Sequence, residues 1–150
     1  MARDFTKIRA WKLADELALE AYRITKHYPS EETFGMAAQL RRAAYSVPAN
    51  IAEGSNRASK REYLQFLSVA AGSLSEVRYF LHLSKHLKYL NEPEYKYIQQ
   101  QAEIVSKTLT GLIRSVRSEI SPGNPSPRVG IRRSERRGPK SEVRTQRSEV

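Results

Sequence analysis

An all-α fold, an up-down-up-down antiparallel four-helix bundle, is what this 150-residue sequence predicts. Three observations carry it. Apolar residues recur at three- and four-residue steps through four separate segments, the period of a helix buried on one face. The links between those segments are only about five residues long, so each helix must pack against its sequence neighbours in alternating directions. Capping residues and prolines mark the starts and stops.

The first segment runs from about Ile8 to Tyr28, with Leu13, Leu17, Ala21, Ile24 and Tyr28 inward and Asp15, Glu16, Glu20 and Arg23 between them. Phe5 and Trp11 stand at its start, where large rings close the end of a bundle, and Pro29 stops it. The second helix is expected over Phe34 to Glu53, with Leu40, Ala44, Val47 and Ile51 inward and Gly54 just past its end, where a left-handed conformation costs glycine nothing. Pro48 lies inside it and removes one backbone hydrogen bond, so a bend is expected over Ala44 to Pro48.

Ser59-Lys60-Arg61-Glu62 matches a capping box and places the start of the third helix at Lys60. Its seam, Tyr63, Leu67, Ala70, Leu74, Val77, Leu81 and Ser84, continues to about Leu90, a helix of some 30 residues and about 45 Å. The small residues Ala70 to Ser73 leave room for a neighbouring helix to approach closely. After the Asn91-Glu92-Pro93 turn, a fourth helix buries Ile98, Ala102, Val105, Leu109, Leu112 and Val116 and ends between Ser118 and Ile120. Residues 1–120 thus form the bundle. Residues 121–150, rich in Ser, Pro, Gly and Arg with few large apolar side chains, read as a disordered basic tail.

Composition narrows the function. There is no cysteine, which excludes a disulfide framework, a cysteine zinc site and a thiol nucleophile. No apolar run approaches the roughly 18 to 20 residues of a membrane span, so a soluble, cytoplasmic protein with no membrane partner is expected. Lys and Arg number 26 against 16 Asp and Glu. The excess is shared: 18 against 12 over residues 1–118, and 8 against 4 over residues 119–150. A basic balance on both parts suits an anionic partner such as RNA or DNA.

On the second helix Arg42, Ser46, Asn50 and Glu53 follow four- and three-residue steps and share a polar face, with Gln39 one turn above. One reading turns this face toward the third helix, as a structural polar network with Glu62, Ser73 and Glu76. The other turns arginines outward to phosphate. Adjacent residues point about 100° apart, so Arg41 and Arg42 take different roles. Outward Arg41, with Arg57, Lys60 and Arg61, makes a basic end to the bundle and the candidate nucleic-acid contact. His82 and His86 have a spacing that can hold a metal but lack the accompanying glutamate, and no metal site is assigned. No catalytic triad, phosphate-binding glycine loop or carboxylate dyad is readable, so neither an enzymatic activity nor a cofactor is expected.

The run Gln-Leu-Arg-Arg-Ala-Ala-Tyr-Ser-Val-Pro-Ala-Asn-Ile-Ala-Glu-Gly from Gln39 to Gly54, with Glu62 to Leu67 and Ala71 to Glu76, resembles the four-helix bundle family of proteins encoded in intervening sequences of bacterial 23S ribosomal RNA genes. The resemblance covers about Phe5 to Ser118. It implies a ring-like homopentamer with no known enzymatic activity. The family is similar in turn to the accessory protein of diversity-generating retroelements, a basic pentamer that binds nucleic acid and a reverse transcriptase, which adds a protein partner to those implied. The family's recurrent positions fall on Gln39, Arg41, Arg42, Ser46, Asn50, Glu53, Gly54, Arg57, Glu62, Gly72, Ser73 and Glu76.

Overall fold

The apolar periodicity resolves into four helices, α1 (Arg9–Thr25), α2 (Met36–Ser55), α3 (Lys60–His86) and α4 (Glu92–Glu119), in a computed structural model that describes residues 3–120. The expected basic tail, residues 121–150, lies outside the described residues. Short 3-10 turns at Phe5–Lys7 and Ser30–Glu32 precede α1 and α2. Each helix packs on its two neighbours around the square, α1 on α2, α2 on α3, α3 on α4 and α4 on α1, and the diagonal pairs stay farther apart.

The inward stripes meet in one core. Leu17, Leu40, Val47, Ile51, Leu67, Val77, Leu81, Ile98, Val105 and Leu109 are essentially inaccessible to solvent, each contributing about 1.5–3 kcal/mol through burial. All seven residues expected in the α3 seam are buried, Tyr63 and Ser84 among them. Leu13 and Leu112, expected inside, lie at the margin of the core. Phe5 and Trp11 stack edge to face with ring centroids 4.9 Å apart at the start of α1.

The helix ends depart from expectation in instructive ways. α1 stops at Thr25 rather than Tyr28, because the His27 and Tyr28 amides donate three residues back, to Ile24 and Thr25, and tighten the last turn. Tyr28 remains buried beyond the helix, its ring 5.3 Å from that of Tyr89. α2 runs on through Pro48, whose ring is buried, and does not end at Glu53. Gly54 is therefore no left-handed cap but a helical residue in the α2–α3 contact. A Cβ there would lie 2.7 Å from Phe66 Cβ and 2.9 Å from Tyr63 Cδ2. The close approach expected around Gly72 is absent from this glycine, where an added Cβ meets nothing within 4 Å.

α3 ends four residues early in a Schellman turn: Tyr89 N–H donates to Ser84 C=O and Lys88 N–H to Lys85 C=O. Lys88, with φ 62°, holds the left-handed position that glycine usually takes. At its start the Ser59 hydroxyl accepts from the Glu62 amide at 3.1 Å. The Glu62 carboxylate meets that hydroxyl at 3.3 Å instead of the Ser59 amide, so only half of the expected capping box forms. The complete box opens α4, where Asn91 Oδ1 accepts from Glu94 N at 2.9 Å and Asn91 N donates to Glu94 at 3.4 Å.

Candidate nucleic-acid interface

The alternating topology gathers the starts of α1 and α3 and the ends of α2 and α4 at one end of the bundle. Residues 3–12, 53–62 and 111–120, which make up that end, carry nine cations, Arg3, Lys7, Arg9, Lys12, Arg57, Lys60, Arg61, Arg114 and Arg117, against four carboxylates. Tertiary contacts tie these segments together. Lys60 Nζ lies 3.1 Å from the Glu119 carboxylate at the end of α4, and Arg3 Nη2 lies 3.8 Å from the same oxygen. The Arg3 guanidinium also rests over the Tyr63 ring, 4.9 Å from its centroid.

Arg57 sits in the α2–α3 link, paired with Glu53 at 2.6 Å and stacked over Phe66 at 4.6 Å. Gly54 permits that arrangement, because its missing side chain lets Tyr63 and Phe66 lie against α2. Arg61, Arg114 and Arg117 are exposed and make no hydrogen bond or ion pair among the described residues. Of the expected contact residues, Arg57, Lys60 and Arg61 thus share one surface. Arg3, Lys7, Arg9, Arg114 and Arg117 join it from sequence positions far away, and only the helix order could have pointed to them.

Arg41 is the exception. Its Nε donates to Thr25 Oγ1 at 2.7 Å and its guanidinium lies 4.7 Å from the Tyr22 ring centroid, so it bridges α2 to α1 and does not face outward with the others. Arg42, expected in the network, is exposed and unpaired among the described residues. The two arginines divide the roles as their 100° offset requires, but in the opposite sense.

The polar link between α2 and α3 is smaller than the eight residues expected. Ser46 and Ser73 hydroxyls meet at 2.9 Å, and Asn50 Nδ2 donates to the Ser46 carbonyl at 2.7 Å and its hydroxyl at 3.0 Å. Glu53 and Glu62 bond locally, to Arg57 and Ser59, while Gln39 and Glu76 are exposed without partners among the described residues. Glu76 precedes the inward Val77 by one residue and is carried about a quarter turn away from the contact.

Other surfaces offer less to an anion. A cleft of about 560 Å³ between α3 and α4 is lined by Arg78, Lys96, Glu92, Glu103, Tyr95 and two glutamines, with Arg78 and Glu103 paired across it at 2.9 Å, so its charges cancel. His82 and His86 stack with centroids 4.3 Å apart, and His86 Nδ1 lies 2.9 Å from the His82 carbonyl. No group of three or more His, Asp or Glu among the described residues is placed to hold a metal, and no helix there is long and apolar enough to cross a membrane.

The bundle is similar to the crystal structure of a protein of unknown function from the S23 ribosomal protein family of Bacteroides thetaiotaomicron, with TM-score 0.66 and 24% identity over 70% of this chain and 98% of that one. At that identity the likeness speaks for the fold. Among curated proteins none matches the chain. Residues 6–111, well over half of the sequence, match the family described as 23S rRNA-intervening sequence protein, and to that family the chain belongs.

Proposed function

We propose that this protein is a non-enzymatic, self-associating bundle that binds RNA or DNA through phosphate contacts at its basic end. The observation that supports this reading is the gathering of nine cations against four carboxylates at one end of the fold. Guanidinium and ammonium groups there are solvated and free to exchange partners, which suits backbone contact without base readout. Self-association is supported by exposed apolar side chains that neither solvent nor nucleic acid requires: Leu19 on α1 at 66% exposure, with Tyr97 and Ile104 on the adjacent α4 at 53% and 48%. The same surface supports the second reading, an assembly scaffold or accessory subunit whose partner is a protein such as a reverse transcriptase.

Mobility shift with a structured RNA and a DNA duplex at two salt concentrations tests the first reading. Binding should weaken steeply with salt through counterion release. Replacing Arg57, Lys60 and Arg61 together by Ala should lower affinity at least about tenfold and flatten the salt slope by two to three, with oligomer mass unchanged. Absence of any shift at low salt, with the oligomer intact, turns the assignment to the protein-partner scaffold.

A further inference from the structure

Building on that nucleic-acid reading, we infer that Arg3 and Lys60 form a backbone-phosphate site which the chain's own Glu119 carboxylate occupies in the free protein, so that nucleic acid binds there by displacing Glu119. Two cations from distant parts of the chain, the segment before α1 and the first residue of α3, converge on one oxygen, Glu119 Oε2, at 3.8 and 3.1 Å. A non-bridging phosphate oxygen has the same charge and the same appetite for N–H donors, and it fits where the carboxylate sits.

Glu119 is poorly placed for any other purpose. It is the last residue of α4, where the helix dipole already concentrates negative charge and a carboxylate is disfavoured. Its attachment is also weak. The side chains of Arg3, Lys60 and Glu119 are 39%, 43% and 46% exposed, the solvated class of ion pair whose net contribution is small and falls with salt. A polyanion that releases condensed counterions on binding displaces such a carboxylate readily, whereas a lone monovalent anion has no such advantage.

The cations keep their places when the carboxylate leaves. Arg3 stays over the Tyr63 ring, and Tyr63 is only 1% exposed, a fixed platform in the core. Lys60 is the first residue of a helix whose start is already secured by Ser59 capping the Glu62 amide, so its position does not depend on Glu119. Glu119 therefore acts as a built-in competitor that lowers the affinity of the basic end.

Fluorescence anisotropy of a labelled structured RNA against the full chain at low salt tests this, with Glu119→Gln, Lys60→Ala, their double variant, and Glu62→Gln. Glu62→Gln makes the same charge change at the same end without a cationic partner. Glu119→Gln should tighten binding about threefold to tenfold, as loss of one charge near a phosphate predicts. It should also steepen the salt slope, because a displaced glutamate no longer takes up a cation. Glu62→Gln should change affinity less than twofold, and the gain from Glu119→Gln should shrink by at least about half in the Lys60→Ala background, where Arg3 alone still holds the carboxylate. Equal gains from both glutamines, or a gain undiminished by Lys60→Ala, would overturn the site. So would wild-type RNA binding that Glu119→Gln leaves unchanged, which overturns the site while the general nucleic-acid reading stands. No RNA binding by any variant overturns both.

Discussion

The two ends of the bundle are held together by different forces, and the difference separates structure from function. At the basic end the helices close through packing: Gly54 admits Tyr63 and Phe66 against α2, and the charges above them are left with weak or no partners. At the opposite end, residues 22–36 and 81–97 carry five cations against four carboxylates, and three of those carboxylates hold the joints. Glu32 accepts from the Met36 amide at 2.7 Å and the Tyr89 hydroxyl at 3.2 Å, Glu94 caps α4, and Glu92 pairs with Lys85 at 3.3 Å. At that end the carboxylates are engaged in the joints and nearly match the cations in number, whereas at the basic end packing does much of the joining and the cations are in clear excess.

The largest test of that contrast is Gly54→Ala. The new methyl group falls inside contact distance of Tyr63 and Phe66, and α2 and α3 must separate or the rings must move. Overpacking of this kind costs about 1–3 kcal/mol, reduced by the helix preference of alanine, for a net loss of up to about 2 kcal/mol in denaturant unfolding. The same exchange at Gly72, where the methyl meets nothing, should add about 0.5–1 kcal/mol. If Gly54→Ala is neutral, packing does not hold the basic end.

At the other end the corresponding blow is polar. Glu32→Ala leaves the Met36 amide at the start of α2 without its acceptor and the Tyr89 hydroxyl without its partner. A lost cap and hydrogen bond of this kind cost about 1–2 kcal/mol, measurable by the same unfolding experiment. Glu119→Ala at the basic end removes a carboxylate from two solvated ion pairs and should change stability by less than about 0.5 kcal/mol. Equal losses from the two glutamates would erase the distinction between the ends.

What the sequence could reveal follows the same division. Periodic burial is legible: the spacing yields every buried residue of α3 and the central stripe of α2, Leu40, Ala44, Val47 and Ile51, because a helix repeats its contacts every three or four residues. It does not yield the small or flanking α2 residues Met36, Ala37, Ala43 and Ser55 that are buried beside that stripe. Punctuation is less legible. A glycine chosen for close packing and a glycine chosen to end a helix look alike, which is why Gly54 reads as a terminus, and Lys88 in a left-handed turn gives no sign at all. Arg41 lies about 100° from Leu40 around the helix and Arg42 about 200°, nearly opposite the apolar stripe, so the helical wheel itself sets Arg41, and not Arg42, beside the buried face. Arg57, Lys60 and Arg61 are adjacent in the chain and could be grouped by eye. Arg3, Arg114 and Arg117 become their neighbours only through the order of four helices.

Two buried tyrosines, one at each end, give the finest comparison. Neither the Tyr28 nor the Tyr63 hydroxyl has a hydrogen-bond partner among the described residues. Burial pushes Tyr28 up to about 12; the nearby Ser84 hydroxyl eases that shift without reaching hydrogen-bonding geometry, and the Glu94 charge adds to it. Burial also raises Tyr63, but there the Arg3 cation pulls the other way, against a smaller push from Glu119. Well below pH 10 both rings are protonated in the folded and unfolded chains, and they contribute no pH dependence. Between about pH 10 and the folded value the unfolded chain loses these protons and the folded chain keeps them, so stability falls as pH rises. Each such group contributes a slope of at most about 1.4 kcal/mol per pH unit. Tyr28→Phe should therefore flatten the alkaline limb of a stability profile from pH 8 to 12, and Tyr63→Phe should flatten it less, because the cation at the basic end already favours the phenolate there. Raising salt should narrow the gap between the two variants, since it screens Arg3 more than it alters burial. A larger flattening from Tyr63→Phe would mean that the free charge of the basic end does not reach the core beneath it.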